Sequence, residues 1–285
     1  MLNFIGEENP DALPTGTVTK GLRVVGLGVS AGGLDALKGF FGRMITDSGM
    51  AFVVIQHLDP EHPSLLQSLL ATSTGMPVVE ATSGMLAEGN HVYLIPSDCD
   101  LQIQGGIFIL LPRQLTGRLH LPIDTFFRSA AEDCHERAIG VVLSGSGADG
   151  TEGLRAIKAG GGVTFAQQPD SAQFPSMPES AIAASVVDFC GTSIEIADEL
   201  ARLHACSSDE VQSRSARPLA VEDSDLVLDG VIDVLRQHAG LDLNSYKRST
   251  AMRRIERRMG LRHTLTMEEY LGTLRDDPDE AKALA

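Results

Sequence analysis

Between residues 21 and 203, short runs of apolar, often β-branched residues alternate with stretches in which apolar positions recur every three or four residues. Continuous apolar runs suit strands buried on both faces, and the longer period suits amphipathic helices. The pattern therefore predicts a mainly parallel sheet covered on both sides. Strands are expected at 23–27, 51–56, 77–81, 91–95, 107–111, 139–144, 162–166 and 186–189, and helices at 33–44, 64–72, 122–136, 150–159, 178–184 and 194–204. One place breaks the alternation. The run at 92–95 is followed by 101–103 and 107–111, with Gly105-Gly106 between the last two, which predicts an antiparallel hairpin added to the sheet.

From 206 to 225 the chain turns to Ser, Asp, Glu, Arg and Pro, a linker composition. Beyond it, Leu226, Leu228, Val231, Ile232 and Leu235 recur at helical spacing and no strand pattern returns. The expected organisation is a flexible tail over 1–20, a doubly wound α/β domain with a hairpin over 21–205, a linker over 206–225, and a small all-α domain over 226–285. The helical pattern is unfinished at Ala285, so this last domain reads as part of something longer.

Composition narrows the function classes. A net charge of −15 disfavours generic nucleic-acid binding. The four cysteines, Cys99, Cys134, Cys190 and Cys206, are far apart and predict reduced, mostly buried thiols rather than a metal knuckle or disulfide framework. The first 15 residues carry Glu7, Glu8 and Asp11 in place of a signal peptide's basic start and apolar core. Apolar runs such as 51–55 and 107–111 fall far short of the roughly 20 residues a membrane helix needs. A cytoplasmic protein with no metal and no cofactor is expected.

Three segments suggest chemistry. The first strand leads into Gly28-Val29-Ser30-Ala31-Gly32-Gly33, a G-x-S-x-G pattern in which glycines allow a sharp turn and expose Ser30 at the head of a helix, where main-chain N–H groups favour an oxyanion. A Gly-rich strand-to-helix turn without chemistry reads equally from these residues. Gly26, Gly28 and Ala31 also fit a dinucleotide fingerprint, although the second strand ends in Gln56-His57 where that fold needs an acidic residue. His57 stands at a C-terminal strand end, where it can meet Ser30 as a general base; a surface or capping histidine is the plain alternative. Asp149, within Ser144-Gly145-Ser146-Gly147-Ala148-Asp149-Gly150, is suited to orient that imidazole, or simply to cap the helix at 150–159. The order Ser, His, Asp departs from the Ser, Asp, His order of α/β-hydrolases.

Together with Met177-Pro178-Glu179-Ser180-Ala181-Ile182, these motifs resemble the CheB protein-glutamate methylesterase family over residues 21–203. The resemblance implies hydrolysis of glutamyl methyl esters on chemoreceptor helices, often with glutamine deamidation, and puts Ser30, His57 and Asp149 on the catalytic positions. It implies oxyanion or site-shaping roles for Ala31, Ser146, Gly147 and Met177. The family commonly carries methionine where Ser146 stands and threonine where Ala31 stands, and its usual N-terminal receiver domain is not expected here. The helical region, through Leu241-Asp242-Leu243-Asn244-Ser245-Tyr246-Lys247-Arg248-Ser249-Thr250 and the basic run after it, resembles the N-terminal domain of CheR receptor methyltransferases. Lys247, Arg248, Arg253, Arg254, Arg257 and Arg258 are then expected to form a stripe for acidic receptor helices; a solvated face or a nucleic-acid contact is the alternative. No methyltransferase activity is expected from this chain, and no membrane embedding. Two rival functions remain: a non-catalytic scaffold docked on receptor arrays, and a nicotinamide-nucleotide oxidoreductase.

Overall fold

The computed structural model describes residues 21–56, 65–113, 120–213, 221–239, 248–262, 264 and 266–284. Among them nine strands form in chain order: β1 (Val24–Val29), β2 (Ala51–Gln56), β3 (Val78–Glu80), β4 (His91–Leu94), β5 (Cys99–Gln104), β6 (Ile107–Pro112), β7 (Ala138–Val142), β8 (Val163–Gln167) and β9 (Phe189–Gly191). Seven make one sheet in the order β3-β4-β2-β1-β7-β8-β9, with every neighbouring pair parallel. The chain builds outward from β1 through β2, then returns to start the other half at β7. The strand order therefore reverses between β1 and β7, where open α/β sheets leave a crevice at the carboxyl ends of the strands.

Alternate side chains of these strands enter two different cores, as a pleated strand requires. Phe52 and Val54 pack with Leu37, Phe40, Leu70, Phe165 and Leu200, beneath α1 (Gly33–Arg43), α2 (Leu66–Ala71) and α6 (Ser193–Ser213). Val53 and Ile55 pack with Phe126, Phe127, Leu154, Ile157 and Ala181, beneath α3 (Pro122–Cys134), α4 (Thr151–Ala159) and α5 (Ser176–Ala183). Helix α1 shows why these segments coil: Ala36, Leu37, Phe40 and Phe41 are buried along one face, three and four residues apart.

The hairpin is not part of the large sheet. Strands β5 and β6 form their own antiparallel pair, because β4 already has parallel partners on both sides, β2 and β3, and offers no edge. The pair instead packs on α3. Ser129 Oγ accepts the Ile103 N–H at 3.1 Å, and the Asp133 carboxylate accepts the N–H groups of Gly105 and Gly106 at 2.5 and 2.9 Å. The last strand begins later than the apolar run at 186–189 suggests: Val186 is buried, but Asp188 bonds the Thr164 N–H and hydroxyl before pairing starts at Phe189. Helix α6 continues to Ser213, past the expected end at 204.

The remaining helices are α7 (Val221–Ala239), α8 (Arg248–Leu261), α9 (Met267–Asp276) and α10 (Pro278–Leu284). Leu228, Val231, Leu235, Ile255, Tyr270 and Leu274 form their core. Thr266 starts α9 as its cap, accepting the Glu269 N–H at 3.2 Å. Leu261 reaches the core beneath α1 and α6, which joins this helical unit to the α/β unit. Burial pushes the Cys134 thiol up to about 12, whereas Cys99 is half-buried and Cys190 is exposed on β9, against the expectation of mostly buried thiols. No described helix is long and apolar enough to cross a membrane.

Candidate active site

Strands β1 and β7 are in register with Gly28 opposite Val142, so the two chains leave the sheet side by side. The pairing carries on into the loops: Leu143 N–H donates to the Gly28 carbonyl and Ser30 N–H to the Ser144 carbonyl, both at 3.0 Å. The chain then turns, with Gly33 N–H donating to the Ser30 carbonyl at 3.1 Å and Gly32 at φ 68°, a conformation that favours glycine. Helix α1 starts there, leaving Ser30 half-buried at its positive end. Gly26 and Gly28 have a different reason. A Cβ on Gly26 would lie 2.7 Å from the Phe127 ring and one on Gly28 2.5 Å from Ile123, so these glycines admit α3 against β1 rather than a dinucleotide.

The second loop follows β7. Ser144 Oγ donates to the Ala31 carbonyl at 2.9 Å and accepts the Phe174 N–H at 3.0 Å, while Ser144 N–H donates to Gln167 Oε1 at 2.9 Å. Gly145 N–H donates to the Phe174 carbonyl, and the Gly145 carbonyl accepts the Met177 N–H. A Cβ on Gly145 would fall 2.3 Å from Met177 Sδ and 2.9 Å from Ser30 Cβ. The motifs carrying Ser30 and Met177 therefore both pack against the one carrying Gly145. Ser146 and Gly147 are exposed, Ala31 is half-buried and Met177 is buried; Gly147 N–H donates to Ser176 Oγ at 3.0 Å.

Asp149 ends this loop and is 4% exposed. Its Oδ2 accepts the Ile123 N–H at 3.0 Å and its Oδ1 the Asp124 N–H at 2.9 Å. It thus caps α3, not the helix that follows it. That helix, α4, is held by Asp124, whose Oδ1 accepts the N–H groups of Gly150 and Gly153 at 3.0 and 2.7 Å. Ser144 stood in the quoted motif without a role assigned to it, and nothing in the sequence pointed to Asp124, Gln167 or Phe174; the apolar pattern of α3 conceals a buried aspartate in its first turn. Alongside, a cavity of about 490 Å³ opens between Gly32, Asp35, Ser144, Gln167, Asp170 and Gln173.

His57 lies outside the described residues, as does Lys247; Gln56, the last described residue of β2, pairs with Val29, the residue before Ser30. Of the basic stripe, the side chains of Arg248, Arg253 and Arg257 also lie outside, and Arg254 is half-buried. Arg258 does not belong to an exposed stripe. It is 6% exposed, bonds Glu280 through both Nε, at 2.8 Å, and Nη2, and reaches Asp188 beside β9 at 3.4 Å. The reason is burial: Glu280 is fully enclosed, also accepting from Tyr270 Oη at 2.8 Å and Arg262 Nε at 2.6 Å. Against desolvation, which acts to raise it, the bonds from Arg258, Tyr270 and Arg262 hold the Glu280 carboxyl below its usual range. Its contribution to stability is then complete above the ordinary carboxylate pKa and is lost as pH falls through the lower folded value. Arg258→Met leaves Glu280 buried without its main cation and is expected to cost about 3–5 kcal/mol, read as a lower denaturation midpoint at pH 7.

The family model for CheB methylesterase matches residues 25–200, and that for the CheR methyltransferase all-alpha domain matches residues 228–285. A 104.1 kDa protein of Rhodobacter capsulatus, described as uncharacterised, is 37% identical over 238 residues, 77% of this chain and 25% of that protein. Protein-glutamate methylesterase/protein-glutamine glutaminase 2 of Cupriavidus metallidurans is 33% identical over 171 residues, 60% of this chain and 50% of that one. The chain thus spans between a quarter and a half of these two relatives. Among solved structures, the Thermotoga maritima CheB methylesterase catalytic domain aligns with a TM-score of 0.59 at 28% identity, covering 64% of this chain and 98% of that domain.

Proposed function

Because this chain belongs to the CheB methylesterase family, we propose that it is a serine hydrolase that removes methyl esters from glutamyl residues of chemoreceptors, and also deamidates receptor glutamines. The observation that carries the reading is the packing of Ser30 and Met177 against Gly145 at the β1–β7 switch point, with Asp149 buried at the end of the same loop. The name of the Cupriavidus relative supports both activities.

In this reading His57, one residue beyond the β2 partner of Val29, takes the Ser30 proton as Oγ attacks the ester carbonyl. Asp149 holds the imidazole in the required tautomer and stabilises the imidazolium. The main-chain N–H groups of Ala31 and Ser146, flanking Ser30 from the two loops, receive the oxyanion; removing one such donor costs about 10²–10³-fold in kcat. Gly147 N–H already donates to Ser176 Oγ, so its part is to shape the loop. The tetrahedral adduct collapses, methanol leaves with the proton from His57, and water hydrolyses the acyl-enzyme with His57 again as base. The helical unit, through Lys247, Arg248, Arg253, Arg254 and Arg257, docks the acidic receptor helices in the cytoplasm; Arg258 is reserved to the ion pair with Glu280.

A fluorophosphonate probe is expected to label this chain stoichiometrically, with the adduct mapped by peptide mass spectrometry to Ser30. A folded protein that takes no label would favour a non-catalytic receptor scaffold.

A further inference from the structure

We propose that Asp124 is a positioning residue for the hydrolytic site, fixing the Asp149 carboxylate through a reciprocal exchange of helix caps and adding a second negative charge behind it. This inference rests on the reading of Asp149 as the carboxylate partner of His57.

The exchange has four bonds. Asp149, from the loop before α4, accepts the Ile123 and Asp124 N–H groups at the start of α3. Asp124, from the first turn of α3, accepts the Gly150 and Gly153 N–H groups at the start of α4. Each carboxylate sits at the positive end of the other's helix, where negative charge is favoured. Gly150 is the residue next to Asp149 and has φ 93°, so the bond from its N–H to Asp124 pins the peptide that carries the Asp149 side chain. The helices come close enough because Gly153 has no side chain: a Cβ there would stand 2.5 Å from Phe127 Cβ and 3.1 Å from Asp124 Cα.

The two carboxylates are 5% and 4% exposed, so their charges are poorly screened from each other. Desolvation raises the Asp124 carboxyl above its usual range, opposed by the Gly153 and Gly150 N–H donors and by Arg128 of α3, with Asp149 adding to the rise. Arg128 and Asp149 are the charged groups that bear on it from α3 and from the loop before α4. A residue that only capped α4 would matter to stability and nothing else. One that positions Asp149 changes the reactivity of Ser30 in a way that depends on Asp149.

The test is the second-order rate of fluorophosphonate labelling at Ser30 across pH 5–9 for the whole chain and for Asp124→Ala, Asp124→Asn, Asp149→Asn and the Asp124→Ala/Asp149→Asn double variant. The expected rate loss for Asp124→Ala is about 10²-fold in protein that remains folded by circular dichroism. In the double variant it should add little to the loss from Asp149→Asn, because both act through one carboxylate. Asp124→Asn keeps an oxygen acceptor and should recover at least a tenth of the wild-type rate. Its acid limb should move to lower pH, since one negative charge fewer supports the imidazolium. Losses that multiply in the double variant, or an Asn variant with an unmoved acid limb, would overturn the role of Asp124 while Ser30 labelling stood. If Asp124→Ala does not fold, the acid limb of Asp124→Asn decides alone. Absence of Ser30 labelling in the wild-type chain would overturn the hydrolase reading and this role with it.

Discussion

Replacing Ser30 with alanine is expected to stop methanol release from methylated chemoreceptor membranes, with kcat reduced by roughly 10⁶-fold, the scale seen when a serine nucleophile is removed from a catalytic triad. The fold should be untouched. The turn at Ser30 is fixed by main-chain bonds, from its N–H to Ser144 and to its carbonyl from Gly33, and neither uses the hydroxyl. Equal denaturation midpoints for the two proteins, alongside the lost methanol signal, are the expected pair of results. Methanol release that persists unchanged would remove Ser30 from the mechanism.

Gly145→Ala should have the next largest effect, although the residue carries no chemistry. The added methyl would lie 2.3 Å from Met177 Sδ, 2.8 Å from Met177 Cε and 2.9 Å from Ser30 Cβ, separations that force atoms to move. Met177 is enclosed and has little room to retreat, so part of the displacement falls on Ser30. A shift on the order of 1 Å at a reacting group costs about 10²-fold, and overpacking a filled site costs about 1–3 kcal/mol. The expected outcome is a variant that folds with a modestly lower midpoint, releases methanol about 100-fold more slowly, and still reacts slowly with fluorophosphonate at Ser30. Wild-type kinetics would mean that the loop gives way without moving Ser30.

Much of this architecture was legible along the chain because buried parallel strands leave a local signature. The run at 51–56 appears as β2 with the same bounds, and the glycines around Ser30 announce a sharp turn by themselves. Partners distant in sequence leave no such trace. Asp149 before Gly150 has the local look of a cap for α4, and capping is indeed part of what it does, yet the helix it caps begins at Pro122. The hairpin was visible in Gly105-Gly106, but its separation from the large sheet depends on β4 already lying between β2 and β3. The basic run after Ser245 likewise showed charges without their counterparts. Arg258 and Arg262 meet Glu280 and Asp277 only once α8 and α10 are packed together.

The two outermost strands of the sheet, β3 and β9, are three residues each. Beside β9 stands Asp188, salt-bridged to Lys158 of α4 and Arg258 of α8, while β3 closes with the exposed Glu80. Short, charged borders of this kind discourage another extended chain from zipping onto the sheet. A guest polypeptide is therefore steered away from β-augmentation, the mode in which an extended segment gains its affinity from main-chain bonds to a free sheet edge.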